Sequence, residues 1–259
     1  MAIEYAVICF VSLVGSGLTF FSGFGLGTIL VPVFALFFPL DIAISVTAIV
    51  HFLNNLFKLF LVGKNANRSV VIRFGIPAII FAFIGAFLLT VISTTEPLVS
   101  YSILNKTAEI TWVKLVIGLL LSFFALVDLI PRLSQWNFNP KYIPVGGVLS
   151  GFFGGLSGNQ GALRSAFLIR ANLSKEQFIA TGVVIAVLID LSRLTIYFAD
   201  VSKHPSELNY PLLICATLSA FLGAYAGNKL LKKVTIKFLQ TFVAIVLLVF
   251  SVFLMLGVL

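Results

Sequence analysis

Ionisable side chains are scarce in this chain of 259 residues. Asp, Glu, Lys and Arg together make up 10% of it, against roughly a quarter in an ordinary soluble domain. That shortage excludes a water-exposed globular surface of the usual kind. Only two His and two Cys are present, too few and too far apart for the common metal-ligand spacings. Cys9 and Cys215 each lie inside an apolar stretch, where a free thiol behaves as a small hydrophobe. Phosphate-binding loops, nucleophile elbows and zinc-type helix motifs of the standard kinds are missing. No metal and no cofactor is expected. The net charge of +8 is spread over short loops rather than gathered in a patch, which excludes a nucleic-acid partner.

Apolar sequence fills the space. The chain is 60% hydrophobic, with a mean hydropathy of +1.13. Its apolar runs repeatedly reach the roughly 20 residues needed to cross a bilayer core. The first run continues past signal-peptide length and lacks a basic leader, so it is read as the first membrane segment. Residues 1–259 are expected to form one transmembrane domain, with apolar segments at 3–21 plus 25–38, 41–62, 69–93, 111–131, 142–156 plus 161–173, 176–199, 210–229 and 234–258. Asp41 after Pro39 places an acid where a helix dipole favours it. Ser174-Lys175-Glu176-Gln177 has the spacing of a capping box.

Two of these segments are interrupted by glycine: one at Ser22-Gly23-Phe24-Gly25-Leu26-Gly27, the other at Ser157-Gly158-Asn159-Gln160-Gly161. They occupy matching places in the two halves, and such a pair points to a transporter's binding site. Sliding the second half over the first by 135 residues also lays Asp41 on Glu176, Asn55 on Asp190 and Lys58 on Arg193. Nine basic residues fall in the loops at 63–73, 131–141 and 229–237, against three (Lys106, Lys114 and Lys203) in or beside 94–114 and 199–209. The positive-inside rule puts the first three loops in the cytoplasm. Each broken segment must then enter and leave on one side, as a re-entrant hairpin or two short spans. The expected fold is an all-α polytopic membrane protein of two inverted-topology repeats with about four segments each, the first near 1–131 and the second near 140–259. Both termini are placed outside the cell membrane.

The run SGFGLGTILVPVFALFFPLDIA, with its Val31-Pro32 and its Pro39-Leu40-Asp41-Ile42-Ala43, resembles the sulfite exporter TauE/SafE family. The weaker echo at 157–180 and the duplicated eight-segment layout extend the resemblance over essentially the whole chain. The second copy departs from the pattern, with Asn159-Gln160 and Arg164 where mostly glycine and apolar residues are expected. The resemblance implies a bacterial-type membrane transporter of small sulfur-containing anions: sulfite, sulfoacetate or related sulfonates. Lipid is the other expected partner, and a homo-oligomer is left open.

Independently of that resemblance, an intramembrane ionisable residue is a functional candidate because it is costly there. Arg164 follows the second break and can hold an oxyanion with its planar fork, or it snorkels to the cytoplasmic surface or pairs structurally. Gly23, Gly25, Gly27, Gly158 and Gly161 allow backbone to approach a ligand, or allow helices to pack closely. Ser22, Asn159 and Gln160 add neutral hydrogen bonds. His51, Asn55, Lys58, Asp190 and Arg193 form a second, gating or coupling group. Within it Asp190 and Arg193 are at i,i+3 and suit a structural pair, His51 can exchange a proton or sit satisfied in the core, and Lys58 is expected to snorkel to a cytoplasmic end. Alternating access, with coupling to protons through His51 and Asp190, is the expected mechanism. A passive anion channel is the main alternative, and a membrane-embedded enzyme or assembly factor a more distant one.

Overall fold

A computed structural model describes residues 2–22, 25–103, 106–130, 138–201, 209–230 and 236–259. Ten α-helices carry the described chain: α1 (Ala2–Ser22), α2 (Leu26–Ala35), α3 (Leu40–Val62), α4 (Arg68–Ser93), α5 (Trp112–Leu129), α6 (Ile143–Ser157), α7 (Gly161–Leu168), α8 (Lys175–Val201), α9 (Tyr210–Leu230) and α10 (Ile236–Met255). Six of them, α1, α3, α4, α5, α8 and α9, are long and apolar enough to cross a membrane. Both glycine-interrupted segments are pairs of helices. The first pair is uneven, since α1 has 21 residues and α2 ten. At a rise of roughly 1.5 Å per residue, α1 has the reach of a full span and α2 only half of one.

Local chemistry explains where helices start. Ser174 accepts from the Gln177 amide at 3.2 Å, and the Gln177 side chain accepts from the Ser174 amide at 3.1 Å. This is the expected reciprocal cap on α8. Asn67, Thr111 and Asn209 cap α4, α5 and α9 one way only, each side-chain oxygen accepting from the amide three residues on. α6 ends at Gly158, whose φ of 78° is left-handed and suits a residue without Cβ.

Small residues decide which helices touch. Gly147, Gly151 and Gly155 recur every four residues along α6, and a Cβ on any of them would lie 2.2 Å from the carbonyl oxygen of Phe74, Ala78 or Ala82 in α4. Backbones meeting this closely are the membrane alternative to a hydrophobic seam. The same device joins α1 to α9, where Gly223 and Gly227 face Leu13 and Gly17. In both pairs the contacts advance together along the chain, so the paired helices run parallel. α3 packs on α8 and α5 on α10. Apolar side chains such as Phe60, Phe87, Leu119, Ile214 and Leu222 remain on the outside, as lipid requires.

One element departs from the expected plain loop at 94–114. Val99–Ile103 (β1) and Lys106–Ile110 (β2) form an antiparallel hairpin in which Val99 pairs with Ile110 and Tyr101 with Ala108. It holds the end of the chain: the Glu109 amide donates to the Gly257 carbonyl at 3.1 Å, and the Tyr101 hydroxyl donates to the Leu256 carbonyl.

Candidate functional site

The polar residues of α3 and α8 meet inside the bundle. His51, Asn54, Asn55 and Lys58 are all buried on α3, and Asp190 and Arg193 are buried on α8. Their spacing of three and four places His51, Asn55 and Lys58 on one helix face. Asp190 is the hub. Its Oδ1 accepts from Arg193 Nη2 at 2.8 Å, Arg193 Nε at 3.1 Å and Gln160 Nε2 at 3.1 Å. Its Oδ2 lies 2.7 Å from His51 Nδ1 and accepts from Asn55 Nδ2 at 3.0 Å. The carboxylate next to Nδ1 assigns the ring proton to that nitrogen. Arg193 Nη1 also reaches the Gly154 carbonyl at 3.3 Å, so the Asp190–Arg193 pair ties α3, α8, α6 and the turn before α7 together.

The two glycine breaks touch. A Cβ on Gly27 would lie 3.3 Å from the Gly158 carbonyl oxygen and one on Gly25 3.6 Å from His51 Nε2. The Thr28 hydroxyl donates to Asn159 Oδ1, linking α2 to the turn between α6 and α7. Gly158 is pressed between Val31 and Arg193. The expected pocket residues therefore divide into two groups.

 
Gln160 and Arg164 belong to the charged network, whereas Gly158 and Asn159 form the junction between the breaks. Gly161 opens α7. Gly23 and the side chain of Ser22 lie outside the described residues, as do His204 and the loop at 131–137.

A cavity of about 30 Å³ adjoins this network, lined among others by Thr19, Gly25, His51, Asn55, Lys58, Arg164 and Ser165. That is room for about two waters. Arg164 is 7% exposed and donates from Nη1 to Gln160 Oε1 at 3.2 Å. Lys58 does not snorkel as expected. It is 5% exposed, and its ammonium sits 5.6 Å from the centroid of the Phe20 ring. α1 closes over it, and the closing residue is an aromatic that tolerates a cation.

A second, apolar crevice of about 320 Å³ lies between Ser45, Ile49 and Leu53 of α3, Leu194, Tyr197 and Phe198 of α8, and the first half of α9. On α3 the crevice residues precede those of the charged cavity, and on α8 they follow them, so these two helices run in opposite directions. The layer of His51, Asp190 and Arg193 stands between the two spaces. Tyr197 completes it: it is 2% exposed, its hydroxyl donates to the Gly155 carbonyl, and it interacts with Arg193.

Thr28, Thr19, Ser165 and Tyr197 were not distinguishable in the sequence. Each is a common residue inside an apolar run, and only the contact across the fold gives it meaning. Among the described residues no three His, Cys, Asp or Glu side chains gather as metal ligands.

These features define a polytopic helical membrane protein with a charged site buried between broken helices. The family model for the sulfite exporter TauE/SafE matches residues 8–254, and the chain belongs to that family. The family is one of membrane transporters for sulfite and related sulfur anions. Searches of curated proteins and of solved structures gave no match.

Proposed function

We propose that the chain is a carrier that exports a small sulfur-containing anion, sulfite or an organosulfonate, through the cavity beside Arg164. The observation that carries this reading is a small, cation-lined cavity, separated by an ion-pair layer from a crevice further along the same helices. A space reachable from one side at a time is what alternating access requires. In this reading the anion lies against Arg164, Lys58 and the α2 start at Gly25, and the His51–Asp190–Arg193–Tyr197 layer is the gate. The His51–Asp190 contact at 2.7 Å is the proposed place for a coupling proton.

Helix packing supports two inverted repeats, α1–α5 and α6–α10. The first helix of each repeat lies parallel to the fourth of the other: α1 with α9, and α6 with α4. The third helices, α3 and α8, pair in opposite directions, as do their places in the proposed symmetry. Gly85 of α4 faces the Phe152 carbonyl and Gly223 of α9 faces the Leu13 carbonyl, an equivalent contact in each pair. With the basic loops in the cytoplasm, α3 and α8 then bring the charged cavity to the inner side and the apolar crevice to the outer.

Counterflow in proteoliposomes tests the carrier. Vesicles preloaded with unlabelled sulfite are expected to accumulate labelled sulfite transiently and saturably. Non-saturating flux without counterflow would indicate a pore instead.

A further inference from the structure

The chain has two cysteines, and the fold brings them together. Cys9 lies on α1 and Cys215 on α9, and both are free thiols. The Cys9 thiol is within hydrogen-bonding reach of the Cys215 thiol and of the Ser219 hydroxyl. The seam between the two helices explains this meeting. On α9, Cys215, Ser219, Gly223 and Gly227 recur every four residues and so share one face. On α1, Cys9, Leu13 and Gly17 do the same. Gly223 meets the Leu13 backbone and Gly227 the Gly17 backbone. One turn back along each helix, the same rows bring Cys9 to Ser219 and Cys215.

A disulfide fails when its Cα atoms are more than about 7 Å apart. The glycine contacts one and two turns further along hold these two backbones close. Access comes from the lipid side. Cys9 is half-buried and Cys215 is exposed, and Ile214, Leu218 and Leu222 around Cys215 are exposed apolar side chains. At the start of both helices the Tyr5 hydroxyl donates to Asn209 Oδ1 at 3.0 Å. Cys9 and Cys215 follow that polar pair by about 6 and 9 Å of helix rise, so they sit just inside the apolar layer. In the proposed topology this end is extracytoplasmic, where disulfides persist.

We infer that Cys9 and Cys215 are an oxidisable pair, a modification site at which a disulfide staples α1 to α9 and so joins the two halves of the chain. Two S–H bonds break and one S–S bond forms. The two electrons and two protons go to a lipid-soluble oxidant of the quinone class, which becomes the hydroquinone. The staple captures helices that the glycine seam already holds in contact, so it forms without rearrangement. It closes a loop that includes most of the chain, and a bridge over a long loop restricts the unfolded state most. The inference rests on the α1–α9 packing and is independent of what the protein carries.

The test uses the purified full chain in phospholipid vesicles. Molecular iodine, a lipid-permeant oxidant that is reduced to iodide, is added first, and the denatured chain is then labelled with a maleimide. With two cysteines per chain, an unbridged chain takes up two labels and a bridged one none. The expected result is loss of both labels, restored by a reductant, with the chain running as a monomer on a non-reducing gel. The thermal midpoint of the bridged chain is expected to lie about 5–15 °C above that of the reduced one. Cys9→Ala and Cys215→Ala should each keep one label and show no such rise. Both labels retained after oxidation would overturn the inference. A label loss that reductant does not reverse, a covalent dimer through Cys215, or a bridged chain no more stable than the reduced one would overturn it equally.

Discussion

Replacing Asp190 by Asn keeps the shape of the hub and removes its charge. One end of the new amide can still accept from Arg193 and Gln160. The other end presents an NH2 group to His51 and Asn55, where the carboxylate oxygen was 2.7 Å and 3.0 Å away. The imidazole can change tautomer and the Asn55 amide can turn, so much of that side is repairable. Arg193 is not. It is 0% exposed, and with Asp190 neutral its charge is left among neutral groups, the amide oxygen, the Gly154 carbonyl at 3.3 Å and Tyr197, with no counter-ion. Leaving one member of a buried pair uncompensated costs about 3–5 kcal/mol. At about 2–4 °C per kcal/mol for a chain of this size class, the thermal midpoint should fall by about 6–20 °C. The assay is thermal unfolding in detergent, followed by loss of the monodisperse peak in size exclusion. Adding Arg193→Gln to Asp190→Asn removes the stranded charge, and the double variant is expected to recover a large part of the loss. A single variant with the natural midpoint, or a double variant no better than the single, would refute the assignment of Asp190 as counter-ion to Arg193.

Three further outcomes check other parts of the structure. Gly151→Leu places its Cβ 2.2 Å from the Ala78 carbonyl oxygen, and the obstacle is backbone. Thermal unfolding should show a loss of about 1–3 kcal/mol or more, where a natural midpoint would mean α4 and α6 are not in contact. Ser174→Ala removes the α8 cap and should cost about 1 kcal/mol, with faster hydrogen exchange at the Gln177 amide as its local signature. Tyr101→Phe loses the bond to the Leu256 carbonyl, a net effect of about 1 kcal/mol. Limited proteolysis should then release the last residues sooner than in the natural chain.

Membrane helices are legible because apolar run length is a direct requirement of the bilayer. The capping box at Ser174 was legible for a similar reason, since its partners are three residues apart. Gln160, Arg164, His51, Asn55, Asp190 and Arg193 come together beside the glycine breaks. Their partnerships were less visible. Asp190 and Arg193 read correctly as a local pair, but nothing in the spacing of α3 shows that His51 and Asn55, more than 130 residues earlier, meet the same carboxylate. Lys58 was misread for a physical reason: its distance from a helix end predicted snorkelling, while the α1 residue Phe20 that covers it comes from another part of the chain. The β1–β2 hairpin escaped notice because ten short-range residues between spans carry too little pattern to outweigh a loop.

The proposed carrier requires the anion to pass beside Arg164. Uptake of labelled sulfite by proteoliposomes containing Arg164→Ala, compared with the natural chain at matched protein density, tests it most directly. Loss of a charge-assisted contact to the substrate predicts an affinity about 10- to 100-fold weaker, with counterflow reduced accordingly. Natural affinity and natural rate in that variant would contradict the account.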